Sequence, residues 1–301
     1  YWSNAVKSIL KTTEDLTMLH QVGVSKRNLA IESGFTRWSD PLLTPADVGV
    51  NGDKVKRQLA AFLEVNKVGG SDLVLPQFID TDRSVWHAKP PLEFFVDFET
   101  VNNLNDNFQS FPNQGGQELI FMIGCGHIEN DEWNFECFIT NRLNEEEEAR
   151  IIDEWFAHMQ EVQDRVDPSN EANVYHWSPA EVSFLHSAFN RHPQNDWPVP
   201  NWFDFYGRVM TQEPVVVRGA HRFGLKDVAK ALNDLGAIDL AWPDGTTDGQ
   251  GAMAGAWWCD ERASLEEKNL VDYELMGDVR DYNEIDCRAM LEIISYLRVN
   301  H

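Results

Sequence analysis

The sequence predicts an α/β protein: a mixed β-sheet flanked by helices, preceded by a small α-helical domain. Three observations carry that expectation. Residues up to 66 show helical spacing of apolar residues broken by turn signals. Pro91–Thr100 reads Pro-Leu-Glu-Phe-Phe-Val-Asp-Phe-Glu-Thr, a buried strand. From there strand-like and helix-like stretches alternate to the end. At 301 residues and 43% hydrophobic content, the chain has room for two domains with real cores. Composition and punctuation divide it into a helical domain, 1–88, and an α/β domain, 89–301.

In chain order, 3–20 is spaced as a helix, and Leu16, Leu19 and Val22 lead into a turn at Gly23. Ser25 fits the N-cap of a second helix carrying Leu29 and Ala30. The pair resembles a helix-hairpin-helix, whose hairpin amides bind a nucleic-acid phosphate as a helix N-terminus does. Gln21 stands where that motif carries its first glycine, and an ordinary helical packing module is the equal alternative. Asp53–Asn66 reads as a helix with Val55, Leu59, Phe62 and Leu63 on one side. Lys26, Arg27, Lys54, Lys56 and Arg57 supply the local positive charge. Residues 67–90, with Gly69, Gly70, Pro76 and Pro90, read as a linker or extended arm.

The strand at Pro91–Thr100 points Leu92, Phe94, Val96 and Phe98 to one face, and Asp97 and Glu99 to the other. Two residues of rise separate those carboxylates by about 6–7 Å at their Cα atoms. On an otherwise apolar strand, two acids are costly unless a cation lies between them, and a divalent metal on oxygen ligands fills that role. A strand end with two solvated acids is the bland alternative. Glu118–Ile128 and Trp133–Ile139 follow as strands joined at Glu129–Asp131. A helix from Asn144 to Val166 opens on four glutamates, read as a solvated first turn. Then come a strand Asn173–Trp177, a helix from Pro179, a strand Trp202–Tyr206 and a helix from Leu225. Trp242–Trp258 is Gly-rich and unpatterned, read as a loop beside a cleft. Helices over 261–276 and 279–298 close the chain.

The last of these carries Tyr282 and Asp286 at i and i+4, on a stripe continued by Ala289, Ile293 and Leu297. An inward-facing Asp needs a partner. A metal shared with Asp97 and Glu99 supplies one, and a hydrogen-bonded structural Asp is the alternative. Residues 1–90 hold 11 Lys/Arg and 10 Asp/Glu, whereas 91–301 hold 14 and 39. An acidic second part argues against a broad non-specific nucleic-acid footprint there, and fits metal binding in one cleft or a saline habitat. No apolar run reaches the length of a membrane span. Cys125, Cys137, Cys259 and Cys287 form no C-x-x-C pair, so a reduced, intracellular, cytoplasmic protein is expected. The chain opens on Tyr1 and reads as a piece of a longer polypeptide.

An early strand with Asp-x-Glu and a late helix with Tyr-x-x-x-Asp resemble the DEDD 3′→5′ exonuclease superfamily on an RNase H-like fold, with the tyrosine spacing of its DEDDy subgroup. The closest resemblance is to YprB-type RNase H-like domains. These follow a RecB-like nuclease domain and a helix-hairpin-helix-like connector. The supporting stretches are Val174–Glu181, Phe203–Phe205, Phe223–Val228 and Tyr282–Cys287, so the likeness covers about 91–298. It implies two-metal phosphodiester hydrolysis with two Mg²⁺ or Mn²⁺ ions. In that scheme Asp97, Glu99 and Asp286 are metal ligands, Asp97 bridges the ions, and Tyr282 positions the attacking water. Glu181 stands where most members have Asp. Ser178-Pro179-Ala180-Glu181 also fits a helix capping box, which leaves its role open. His176 and Lys226 are candidate substrate contacts, and Asp204 is a reserve carboxylate. The implied partners are DNA or RNA, as a single strand or 3′ end, and a RecB-like domain ahead of Tyr1. The alternative is a catalytically silent nucleic-acid-binding or scaffolding module of a larger nuclease-helicase. A structure-selective endonuclease is the third reading.

Overall fold

The computed structural model describes residues 2–102, 118–240, 242 and 249–301. The chain begins with helices α1 (Trp2–Thr13), α2 (Val24–Glu32) and α3 (Asp53–Val65), a short strand β1 (Val74–Leu75) and a one-turn helix α4 (Arg83–Trp86). Strands β2 (Glu93–Val101), β3 (Leu119–Glu129) and β4 (Glu132–Ile139) follow, then α5 (Glu145–Val166), β5 (Asn173–His176), α6 (Ala180–Arg191) and β6 (Trp202–Asp204). A π-helical turn at Tyr206–Met210 leads to β7 (Val216–Val217), α7 (Leu225–Asp234), α8 (Gly249–Glu266) and α9 (Glu274–Asn300).

Two compact units divide these elements. A sheet unit gathers Lys89–Phe205 and Trp242–Leu291. A terminal unit gathers Tyr1–Ala88, Tyr206–Ala241 and Glu292–His301.

In the sheet unit five strands run in the order β4-β3-β2-β5-β6. The β2–β3 and β3–β4 pairs are antiparallel, whereas β2–β5 and β5–β6 are parallel, so the sheet is mixed as expected. Asn130 (φ 54°) and Asp131 (φ 65°) make the two-residue β3–β4 turn, the left-handed pair that matches the twist of a hairpin. One face of β2 buries Leu92, Phe94, Val96 and Phe98 against Ile151, Ile152 and Trp155 of α5 and Leu185 and Ala188 of α6. Truncating a side chain as fully enclosed as Trp155 costs about 3–5 kcal/mol. On the other face, Val101, Phe121 and Met122 pack on Ala252, Ala256 and Cys259 of α8 and on Met276 and Val279 of α9. Phe121 and Met122 reach the same core because the β2–β3 register shifts between Glu99 and Thr100.

Two sequence expectations fail in this unit. The four glutamates of α5 are not all solvated, because Glu148 is fully buried. Its carboxylate accepts from Ile120 N at 2.8 Å, from Arg191 at 2.6 and 2.9 Å, and meets His192 Nε2 at 2.9 Å. Likewise 249–258, read as loop, is helical, and the helices expected over 261–276 and 279–298 are instead α8 and α9. Buried Ala252, Gly255, Ala256, Cys259 and Ala263 recur at helical spacing, so α8 approaches its neighbours through small residues rather than through an apolar stripe. A Cβ at Gly255 would already stand 3.0 Å from Leu275 Cδ2. Residues 243–248 lie outside the described residues.

In the terminal unit, Leu16, Leu19, Val22, Ala30, Leu43, Val48, Val50 and Leu59 form one core. Gly23, not Ser25, caps α2, and a 3₁₀ turn at Leu16–Met18 precedes it where a continuous first helix was expected. Residues 67–90 are not a bare linker. They hold β1 and α4, with Val74, Ile79 and Trp86 fully buried. Strand β1 pairs antiparallel with β7, and Gln58 Nε2 donates to Thr211 O at 2.8 Å. Arg298 Nε donates to Trp86 O at 2.7 Å, and Asn66 Nδ2 to Ala220 O at 2.9 Å. These bonds explain why 206–241 and 292–301 cluster with the first 88 residues.

Candidate active site

Alternation on β2 sends Asp97 and Glu99 toward the face covered by α8 and α9, away from the Phe94–Phe98 core. Glu99 is buried and Asp97 half-buried. From α9, Tyr282 and Asp286 arrive buried on the inward stripe, and Ala289, Ile293 and Leu297 are buried beyond them. The Tyr282 hydroxyl hydrogen-bonds the Asp286 side chain. Burial, then the charges of Asp286, Glu99 and Asp97, push its phenol far above the ordinary tyrosine value. Tyr282 is therefore a donor at every physiological pH, and the three carboxylates of two distant segments act on one hydroxyl.

Each anchor carboxylate is held. Asn283 Nδ2 donates to Asp97 Oδ2 at 2.8 Å and to Asp97 O at 3.1 Å. Trp242 Nε1 donates to Asp286 Oδ1 at 2.7 Å. Asn283 is fully buried, and it fits only because its neighbour on β3 is Gly124, the register partner of Asp97. A Cβ at 124 would collide with Asn283 Oδ1 and stand 2.9 Å from its Cγ.

The donor set is all carboxylate oxygen, which suits Mg²⁺ or Mn²⁺ over softer metals. Among the described residues, however, no three His, Cys, Asp or Glu side chains are close enough together to form a closed ligand cage. Glu181 lies buried in the first turn of α6. The alternative reading, a capping box, does not form: Pro179 holds the N-cap position with no side-chain bond, and Ser178 Oγ accepts from Ala180 N at 3.3 Å. Glu181 Oε2 instead faces His176 Nδ1 at 3.4 Å and makes no hydrogen bond, an orphaned carboxylate oxygen open to a water or a cation.

His176 is buried at the end of β5, where Nδ1 donates to Ser178 O, and its ring meets Trp202 edge-on. Asp204 is its register partner on β6. Because β5 runs parallel to β2, α6 starts beyond the same strand ends that carry Asp97 and Glu99, the usual place for a site on parallel strands. Lys226 is the second residue of α7, in the terminal unit.

A family model described as the RNase H superfamily matches residues 95–298. The chain belongs to the RNase H superfamily. No curated protein and no solved structure matches it. The match begins within β2 and ends within α9, so the RNase H stretch contains every carboxylate described above. Three residues of this candidate site escaped the sequence reading. Asn283 sat unremarked between Tyr282 and Asp286, and Gly124 went unremarked within the Glu118–Ile128 strand. Trp242 lay in the segment read as loop. The one legible signal was Gly124 itself, since a strand glycine marks a close approach.

Proposed function

We propose that the protein is a nuclease that hydrolyses nucleic-acid phosphodiester bonds with a divalent metal, acting 3′→5′ as a DEDDy-type exonuclease. The observation that supports this most is that α9 brings buried Tyr282 and Asp286 to the face of β2 that carries Asp97 and Glu99, with Asn283 of the same helix bonded to Asp97, within an RNase H superfamily domain. Asp97, Glu99 and Asp286 would hold the metal, two ions in the fullest version, with Glu181 as fourth carboxylate. A bound ion pair supplies activation of water and neutralisation of charge on the leaving oxygen. The chain's own part is to fix Asp97 through Asn283 and Asp286 through Trp242, and to keep a phenol proton beside Asp286 where Tyr282 can orient a water. His176 borders Glu181 and would contact substrate or a water bound there. The connector-like role of residues 1–88 and a RecB-like neighbour belong to the same proposal and rest on the resemblance alone.

The deciding experiment is Mn²⁺-dependent cleavage of 3′- and 5′-labelled linear strands of DNA and RNA, with circular strands alongside. Loss of all cutting in Asp97→Ala is expected, and activity surviving that substitution sinks the reading. A cut circle would instead identify an endonuclease. The absence of a closed ligand cage among the described residues favours one second reading, a silent nucleic-acid-binding module. Failure of millimolar Mn²⁺ to bind the wild type would select it.

A further inference from the structure

The sheet unit has a hollow of about 310 Å³, lined by Trp133, Phe135, Glu136, Cys137, Arg280 and Glu284. Its floor is Cys137, which pairs with Gly124, which in turn pairs with Asp97. Directly opposed residues share a face, so the floor and Asp97 lie in one row of the sheet. The electrostatics agree with that placement: burial holds the Cys137 thiol protonated, Arg280 opposes, and Glu136, Glu284 and Glu99 add to it.

The walls are flat and preset. Trp133 lies over Gly126, where any Cβ would meet its six-membered ring, and its Nε1 donates to Glu284 Oε1 at 3.1 Å. Phe135 Cε2 stands 3.0 Å from where a Cβ on Gly124 would lie. Both rings are half-buried, so each keeps surface free for a partner.

Charge decides what that partner is. The one cation among the lining residues, Arg280, is 2.7 Å from Asp281, and Glu284 lines the same hollow, so a phosphate would meet more carboxylate than guanidinium. A neutral aromatic ring bearing N–H groups finds the reverse: π surfaces to stack on, carboxylates to accept its protons and a guanidinium to donate. We propose that this hollow binds one unpaired nucleobase of the substrate strand, next to the bond that is cut. The inference rests on the nuclease reading for its substrate class.

Its test needs no catalysis. Binding of a single-stranded oligonucleotide in EDTA is compared with binding of an abasic oligomer of equal phosphate number. Wild type is expected to prefer the base-bearing strand by about tenfold, the size of one stacked base. Phe135→Ala and the surface change Arg280→Ala should each erase most of that preference and leave the abasic affinity alone. Equal binding of both oligomers by wild type, no binding of either, or variants that keep the preference overturn the inference. Cleavage in Mn²⁺ is read separately. A protein that prefers the base but never cuts keeps this inference and loses the nuclease reading, and one that cuts without preference does the opposite.

Discussion

Asn283 grips Asp97 at both ends of the residue, its amide nitrogen 2.8 Å from the carboxylate and 3.1 Å from the backbone carbonyl. One side chain from α9 thereby fixes the orientation of the acid that β2 presents. Outer partners of this kind typically control metal affinity or activity by about 10–100-fold. Asn283→Ala is expected to lose that much in Mn²⁺-dependent cleavage, with circular dichroism still showing a folded protein.

Gly124→Ala is expected to do the same by a different route, since its new methyl drives Asn283 out of place. Overpacking adds about 1–3 kcal/mol of destabilisation. In the Gly124→Ala/Asn283→Ala double variant the obstacle and the obstructed group are both gone. A urea titration should therefore find the double variant more stable than the sum of the singles allows, by about 0.5–3 kcal/mol.

Tyr282→Phe keeps the buried ring and removes only the bond to Asp286. Mn²⁺ affinity, read by calorimetry, is expected to stay near wild type while kcat falls by about 10–100-fold. Equal loss of both would mean that the hydroxyl serves the ligand and not the water.

Glu148→Ala leaves the Arg191 guanidinium buried beside an empty space, and a broken buried pair costs about 3–5 kcal/mol. Chemical denaturation measures this directly. A solvated first-turn glutamate such as Glu145 should change stability by less than about 0.5 kcal/mol when replaced.

Stability should also fall in mild acid. Burial is the largest cause lowering His127, His158 and His221, and His221 is pushed down to about 4. The unfolded chain then binds more protons than the native one below the ordinary histidine value near 6.5, so stability is full above that pH and drains away toward about 4. A second loss follows at lower pH, where Glu129, held at about 2 chiefly by its hydrogen bond to Arg165, drops out of its ordinary range near 4.5. Urea midpoints measured between pH 7 and pH 3 test both steps, and His221→Phe should flatten part of the first.

What the sequence made legible follows from periodicity. Alternation in Leu92–Phe98 assigned both faces of β2, and the i, i+4 stripe of α9 turned Tyr282 and Asp286 inward together. Periodicity says nothing about which core an element joins, so β7, α7 and the end of α9 were not expected beside the first 88 residues. Helix α8 was missed because its contacts are alanine and glycine, which carry little apolar contrast. Glu148 was lost among identical neighbours, since only its distant partners Ile120, Arg191 and His192 distinguish it from Glu147.

The sheet unit holds 9 Lys/Arg against 34 Asp/Glu, while the terminal unit holds 16 against 15. Most proteins that meet nucleic acid bind it more weakly as salt rises, because cations are released from the phosphates they neutralise. A unit this acidic inverts the kinetics. At about 0.01 M salt, with a screening length of about 30 Å, its own field holds a polyanion off, and at about 0.1 M the length shrinks to about 10 Å. The encounter of a strand with the sheet unit is then expected to be faster at about 0.1 M than at about 0.01 M salt, and a survey run only in dilute buffer would underrate it.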